Sequence, residues 1–358
     1  MSLSVTLLRR NYGVSGVGYH SNMWHITEGI RATDFHTAGE PFRIVSDGVP
    51  ELGGTTVAER RVLAAESTDF DTVRQLLCRE PRGHADMYGG FIVPPDDDGA
   101  HLGVLFWHKD GYSTACGHGT IALGVWAVQT GLVNADPDGV TPVRIDVPSG
   151  RVTAFVHSSG GRITSVVFEN VASYVIARDV EVRTSRGIVR ADLSYSGAIY
   201  ASVDAAPVGL TVSPEHYTEL IAIGREVKWA LNESEWARHP DDDRLSGVYG
   251  TILFDDLGDT ADGVHQRNVT VFADGEVDRS PCGSGTGARL ALLADAGRMR
   301  EGLTLTHDSI VGTRFLGRVR ATGGGAIIPE VEGMAYATGE HTFTLDQTDP
   351  VGTGFVLR

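Results

Sequence analysis

A cysteine, a few small residues and then an apolar run occur together twice in this chain, and that repetition constrains the fold more than any other feature. The first copy is Ala115-Cys116-Gly117-His118-Gly119-Thr120, leading into Ile121-Ala122-Leu123. The second is Asp278-Arg279-Ser280-Pro281-Cys282-Gly283-Ser284-Gly285-Thr286, leading into an apolar run from Ala288 to Leu293. Each run reads as a helix with the cysteine at its start, where backbone N–H groups lack partners and the helix dipole is positive. That field favours a thiolate and lowers a thiol's pKa. The same N–H groups can hold a carboxylate. The cysteines lie 166 positions apart, close to half of the 358 residues. Two similar halves, each offering one cysteine at one helix start, predict a duplicated domain with a shared cleft.

The rest of the pattern is α+β. Arg31 to Val45 reads as strand, turn, strand, with the turn at His36–Pro41. Helices are expected at Thr56–Glu66, Phe70–Arg79 and Ser213–Leu231, and from Cys116 to about Leu132. Strands are expected at Gly90–Val93, Leu102–Trp107, throughout Val143–Val203, at Val248–Phe254 and Asn268–Phe272, and from Thr304 onward. The first domain is expected to span 30–160 plus 338–358 and the second 161–337. Residues 1–29 read as an N-terminal extension whose apolar piece is too short for a signal peptide.

Composition narrows the partners. A formal net charge of -16 disfavours nucleic acid and anionic membranes, which repel an acidic protein. It leaves room for a small zwitterion that feels only its pocket. Three cysteines without a CxxC pair make neither a disulfide framework nor a zinc site, and fit a reducing cytoplasm. Cys78 lies in an amphipathic helical pattern and reads as a small hydrophobe. The aspartate runs 96–98 and 241–243 read as solvated turns, and no metal or other cofactor is expected.

Three chemistries suit helix-start cysteines. A single nucleophilic thiol with His118 as its base leaves Cys282 idle. Paired acid–base catalysis uses both, one thiolate removing a proton from a carbon while the opposing thiol delivers one. The helix N–H groups would then hold the substrate's carboxylate and stabilise the charge that develops. Phosphate binding by Gly283-x-Gly285-x-Gly287 is weak, because neither GxGxxG nor GxxxxGK[ST] is present.

Four motifs in order carry a family resemblance: Asp34-Phe35-His36-Thr37-Ala38-Gly39-Glu40-Pro41, Glu80-Pro81-Arg82-Gly83-His84, Cys116-Gly117-His118-Gly119 and Asp278-Arg279-Ser280-Pro281-Cys282-Gly283-Ser284-Gly285. From about Arg31 onward the chain resembles the proline racemase family, which also contains hydroxyproline 2-epimerases and trans-3-hydroxyproline dehydratases. The resemblance implies a diaminopimelate-epimerase-like fold, two domains each wrapping a central helix with the site between them. It implies Cys116 and Cys282 as the acid–base pair. Gly117, His118, Gly283 and Ser284 would line the substrate's carboxylate and ring nitrogen. His118 and Asp278 would be polar partners of the reacting centre, and His265 a substrate contact. His36 and His84 read as holding turns.

Outside the cysteines, Glu80–Tyr88, Leu102–Tyr112 and Tyr249–Leu253 look most like the dehydratase branch. That branch typically carries threonine where this chain has Cys282. A cysteine there restores the second acid–base group. The expected function is therefore a cofactor-independent racemase or epimerase of proline or a hydroxyproline. A trans-3-hydroxy-L-proline dehydratase is the alternative, and a non-catalytic binder of cyclic amino acids the second alternative. The expected partner is the small amino-acid substrate alone; a homodimer is left open.

Overall fold

The computed structural model describes residues 29–321 and 323–357, so most of the expected extension lies outside the described residues. The first half runs β1 (Ile30–Thr37), β2 (Glu40–Asp47), α1 (Val57–Glu66), α2 (Thr68–Cys78), β3 (Tyr88–Val93), β4 (Leu102–His108), β5 (Gly111–Tyr112), α3 (Gly117–Gln129), β6 (Val140–Val147), β7 (Gly150–Ser159) and β8 (Arg162–Glu169). The second runs β9 (Tyr174–Thr184), β10 (Gly187–Tyr195), β11 (Ile199–Asp204), α4 (Tyr217–Asn232), β12 (Val248–Thr260), β13 (Gly263–Phe272), β14 (Glu276–Asp278), α5 (Gly283–Asp295), β15 (Leu305–Ser309), β16 (Arg314–Ala321) and β17 (Ile327–Gly333). A last strand, β18 (Ala335–Phe343), follows.

Strand pairing repeats between the halves. One curved sheet is ordered β18-β1-β2-β3-β4-β6-β7-β8. The other is ordered β9-β10-β11-β12-β13-β15-β16-β17. Along both, the pairings are antiparallel twice, parallel, antiparallel, parallel, then antiparallel twice. The two parallel steps fall where a helix intervenes, since a parallel neighbour needs a crossover. Thus β18 does for the first half what β9 does for the second. The sheets join where β17 pairs with β8. Because β8 bonds along its length to β7, the crossover comes after Glu169 rather than at 160.

Each sheet wraps one helix. Every residue of α3 from Gly117 to Ala127 and of α5 from Gly283 to Leu293 is buried. Phe42, Val104, Phe106, Ala154, Val166 and Phe168 pack with Ile121, Leu123 and Val125 in the first core. Gly124 lets α3 lie close to β7, where a Cβ would stand 2.7 Å from the Cβ of Ala154. Outside the second sheet, Leu220, Ile223, Val227 and Leu231 of α4 pack on Val269 and Val271. That helix begins at Tyr217, not Ser213, because Pro214–His216 form a separate 3-10 turn. α2 begins at Thr68, with the Ser67 hydroxyl accepting from the Phe70 N–H.

Among the described residues, no helix is long and apolar enough to cross a membrane. Cys78 is fully buried in the core of the first half, as read from its helix. Asp96 accepts from the Val57 N–H at the start of α1, Asp97 pairs with Arg151, and Asp242 pairs with Arg244.

Replacing Gly124 with alanine tests the close packing. Helix propensity alone would stabilise by about 1 kcal/mol. Overpacking against Ala154 costs about 1–3 kcal/mol. A net loss on the order of 1 kcal/mol is expected in urea unfolding, and a gain would contradict the packing.

Candidate active site

Cys116 and Cys282 are the N-cap residues of α3 and α5. The Cys116 Sγ accepts from the Gly119 N–H at 3.2 Å, and the Cys282 Sγ from the Gly285 N–H at 3.3 Å. Cys282 has φ +61° and ψ 108°, outside the regions an L-residue favours. Such a conformation costs about 1–3 kcal/mol and persists only where its surroundings enforce it. Here the Ser280 hydroxyl accepts from the Cys282 N–H at 3.0 Å and donates to Asp278 Oδ1 at 2.7 Å.

The two helix starts abut. A Cβ on Gly117 would stand 2.6 Å from the Cα of Gly283 and 2.7 Å from the Ser284 nitrogen. Only glycine at both positions permits this approach. It brings into one place the N–H groups of Gly117, His118, Gly283 and Ser284, the donors that helix starts leave without intrahelical partners.

Both thiols line one cavity with Tyr88, Ala115, Gly117, His118, Tyr200, Tyr249, Phe272, Asp278 and Ser284. Its volume is about 10 Å³, room for roughly one water. The Ser284 hydroxyl is buried without a hydrogen-bond partner. His118 lies 3.8 Å from Asp278 and packs edge-on against Phe42 and Tyr88. Burial depresses its pKa to about 4, with Asp278 pulling the other way, so the ring is neutral near pH 7.

The thiols behave differently from the expectation at helix starts. Burial pushes both well above the usual thiol range, and the Asp278 carboxylate adds to the rise. The helix N–H bonds from Gly119 and Gly285 pull down, but by less. Desolvation in the closed cavity therefore outweighs the helix field, and both sulfurs are protonated there.

Of the expected site residues, Cys116, Gly117, His118, Asp278, Cys282 and Ser284 line the cavity, with Gly283 packed against Gly117. His265 is not brought there. In β13, Gln266 bonds to Arg289 of α5, Asn268 bonds to the Pro281 carbonyl, and Phe272 lines the cavity. Alternation places the odd-numbered His265 on the opposite face. Its Nε2 pairs instead with Asp308 at 2.8 Å, which Arg314 also holds. His36 and His84 accept from the Gly39 and Asp86 N–H groups and hold turns.

The sequence reading missed the aromatic wall. The Tyr88 hydroxyl bonds to Ser113 and, at 3.0 Å, to the Tyr249 hydroxyl, linking the halves. Tyr88 and Tyr249 both sit in segments that look like the dehydratase branch, a signal available beforehand. A second link was also missed. Glu40, fully buried in the β1–β2 turn, accepts from the Arg279 N–H and from its guanidinium, both at 2.8 Å. Burial raises the Glu40 pKa well above the carboxylate range, against the pull of Arg279. Asp86 accepts from the Val277 N–H at 3.1 Å and lies 3.2 Å from Arg279.

The model of the proline racemase family matches residues 32–356. The chain belongs to that family. It is 45% identical over 339 residues to a 3-hydroxyproline 2-epimerase of Burkholderia multivorans, covering 93% of this chain and 99% of that one. Identity and coverage are the same for a trans-3-hydroxy-L-proline dehydratase of Azospirillum brasilense. The crystal structure of a hydroxyproline epimerase from Agrobacterium vitis, with bound trans-4-hydroxy-L-proline, superposes with a TM-score of 0.84 at 30% identity, over 92% of this chain and 94% of that one. The expected α+β architecture of two halves around central helices is that of this proline racemase family member.

Two outcomes test the site. At pH 7, iodoacetamide is expected to modify Cys116 and Cys282 at least about tenfold more slowly than an exposed thiol of ordinary pKa, with rates still rising above pH 9. Peptide mass spectrometry reads both rates, and fast alkylation levelling off below pH 8 would contradict neutral thiols. Replacing Glu40 with alanine removes the buried acceptor of the Arg279 N–H and guanidinium and is expected to cost about 2 kcal/mol in urea unfolding. A loss below about 1 kcal/mol would show that Arg279 is held by Asp86 alone.

Proposed function

We propose that this protein is a 3-hydroxyproline 2-epimerase that inverts the α-carbon with Cys116 and Cys282 as its two acid–base groups. The observation that carries the proposal is the pair of thiols, one from each half, lining a single cavity at abutting helix starts. Relatives at 45% identity act, by name, on 3-hydroxyproline as an epimerase or as a dehydratase. Family membership supports that coarser choice, and the second thiol favours the epimerase.

The substrate's carboxylate lies among the N–H groups of Gly117, His118, Gly283 and Ser284. One sulfur, as thiolate, takes the α-proton. The C–H electron pair moves into the carboxylate, whose added charge those N–H groups stabilise. The opposing thiol delivers its proton to the other face, leaving the carbon inverted and the proton count unchanged. Neutral His118 and the buried Ser284 hydroxyl offer polar atoms to the ring nitrogen and the substituent. Parting the halves admits water and substrate and lowers the desolvation cost of a thiolate, so that one thiol gives its proton to the entering water and is the base when the halves close.

Proton NMR in deuterated water, with trans-3-hydroxy-L-proline, trans-4-hydroxy-L-proline and L-proline in separate tubes, tests the reading. The expected result is loss of the α-proton of trans-3-hydroxy-L-proline with appearance of its 2-epimer. Replacing either cysteine with serine is expected to slow inversion at least about a hundredfold, the range of one general acid–base group. Conversion to a cyclic imine without the epimer would instead mean that the α-proton leaves and the 3-hydroxyl departs as water. Undiminished inversion by either serine variant would sink the two-thiol mechanism.

A further inference from the structure

Beside the cysteine cavity lies a much larger cleft of about 380 Å³. Tyr249 lines both spaces, and Ser113 and Thr114, which line the cleft, directly precede Ala115 of the cavity. The cleft is walled by Arg61 and Tyr112 of the first half and by Lys228, Trp229 and Asn232 of α4.

Its charges are unevenly satisfied. Asp110 is held by the Lys109 ammonium at 2.9 Å and by the Asp274 N–H. Asp274 is held by Arg225 at 2.7 Å and by the Trp229 indole N–H. Both acids thus already have cations. Lys228 does not. It is 7% exposed, and among the described residues its ammonium makes no hydrogen bond or ion pair. It lies over the Trp229 ring, 3.7 Å from the centroid, and the already paired Asp274 and Asp110 attract it from beyond ion-pair distance. Among the described residues Arg61 donates only to backbone carbonyls, those of Tyr112 and Arg244. Arg61 and Lys228 line the cleft while Lys109 and Arg225 neutralise its two aspartates, an excess of positive charge in a chain whose net charge is -16. A buried ammonium that makes no direct ion pair or hydrogen bond is costly to maintain. This one faces a space large enough for a cyclic amino acid.

We propose that this cleft is a receiving site for a small carboxylate, in which Lys228, with Arg61, takes the carboxylate of the incoming amino acid before it passes Tyr249 to the thiols. The role as antechamber rests on the amino-acid substrate proposed above. The carboxylate site itself does not.

Binding is therefore tested apart from turnover. Propionate, a carboxylate without an amine, is titrated into the full chain carrying Cys116→Ser and Cys282→Ser, with saturation-transfer NMR as the readout. Adding Lys228→Gln is expected to weaken binding about tenfold, the loss of one charge-assisted hydrogen bond. Lys228→Arg, which keeps the charge, is expected to restore it and also controls for folding. Equal affinity with glutamine and lysine overturns the site. In the enzyme with both thiols, Lys228→Gln is expected to lower kcat/KM about tenfold while kcat stays within twofold, and propionate is expected to compete with substrate. Equal falls in kcat and kcat/KM would place Lys228 at the reaction itself, and propionate inhibition that substrate does not relieve would make the cleft an effector site. Either result overturns the antechamber. If no amino acid is turned over, the proposed reaction fails and the propionate arm still decides whether the carboxylate site exists.

Discussion

The contact between Gly117 and Gly283 is the constraint on which the site depends. Two helix starts meet at a distance that no side chain permits. The meeting sets the thiols in one cavity and gathers backbone donors from both halves. It also explains why the helix cores are lined with small residues. A helix buried on every side, as α3 and α5 are, must meet its sheet closely, and Gly124 on α3 shows the consequence at β7. The helix interior gives up propensity so that its N-terminus can be placed.

That placement is held by polar links across the halves. Glu40 and Asp86 grip the backbone and guanidinium of the Val277–Arg279 segment, three residues before Cys282. Ser280 then ties Asp278 to the Cys282 N–H and holds the positive φ. The tyrosine pair 88 and 249 closes the far side. A cavity of about 10 Å³ is smaller than any cyclic amino acid, so on the proposed reading these links yield for the substrate to enter and re-form around it. Burial that keeps the sulfurs protonated when closed is relieved by the same opening. The proposed mechanism thus couples access and acidity through one movement.

Much of this was readable from local pattern. A cysteine followed by small residues and an apolar run marks a helix start wherever it occurs, so α3 and α5 and their caps were found from sequence. The Thr56–Glu59 capping box marks α1 in the same way. What depends on distant strands was not readable. His265 carries a plausible motif, but its face is decided by alternation from Gln266, Asn268 and Phe272, which meet Arg289 of α5, the Pro281 carbonyl before it and the cavity. The thiol pKa was read from the helix field, a local quantity, whereas desolvation comes from walls contributed by both halves. Lys228 lies in the helix expected at Ser213–Leu231, a local pattern that says nothing of the cleft it faces.

The closing strand has a consequence for synthesis. The second half is continuous in the chain from β9 to β17, and every strand it needs emerges in one passage. The first half begins at β1 but lacks an edge partner until β18 has been made, some three hundred residues later. On a ribosome, the half that is started first is therefore the half that is finished last. Its open edge at β1 is a place where a nascent chain needs protection from pairing with other strands.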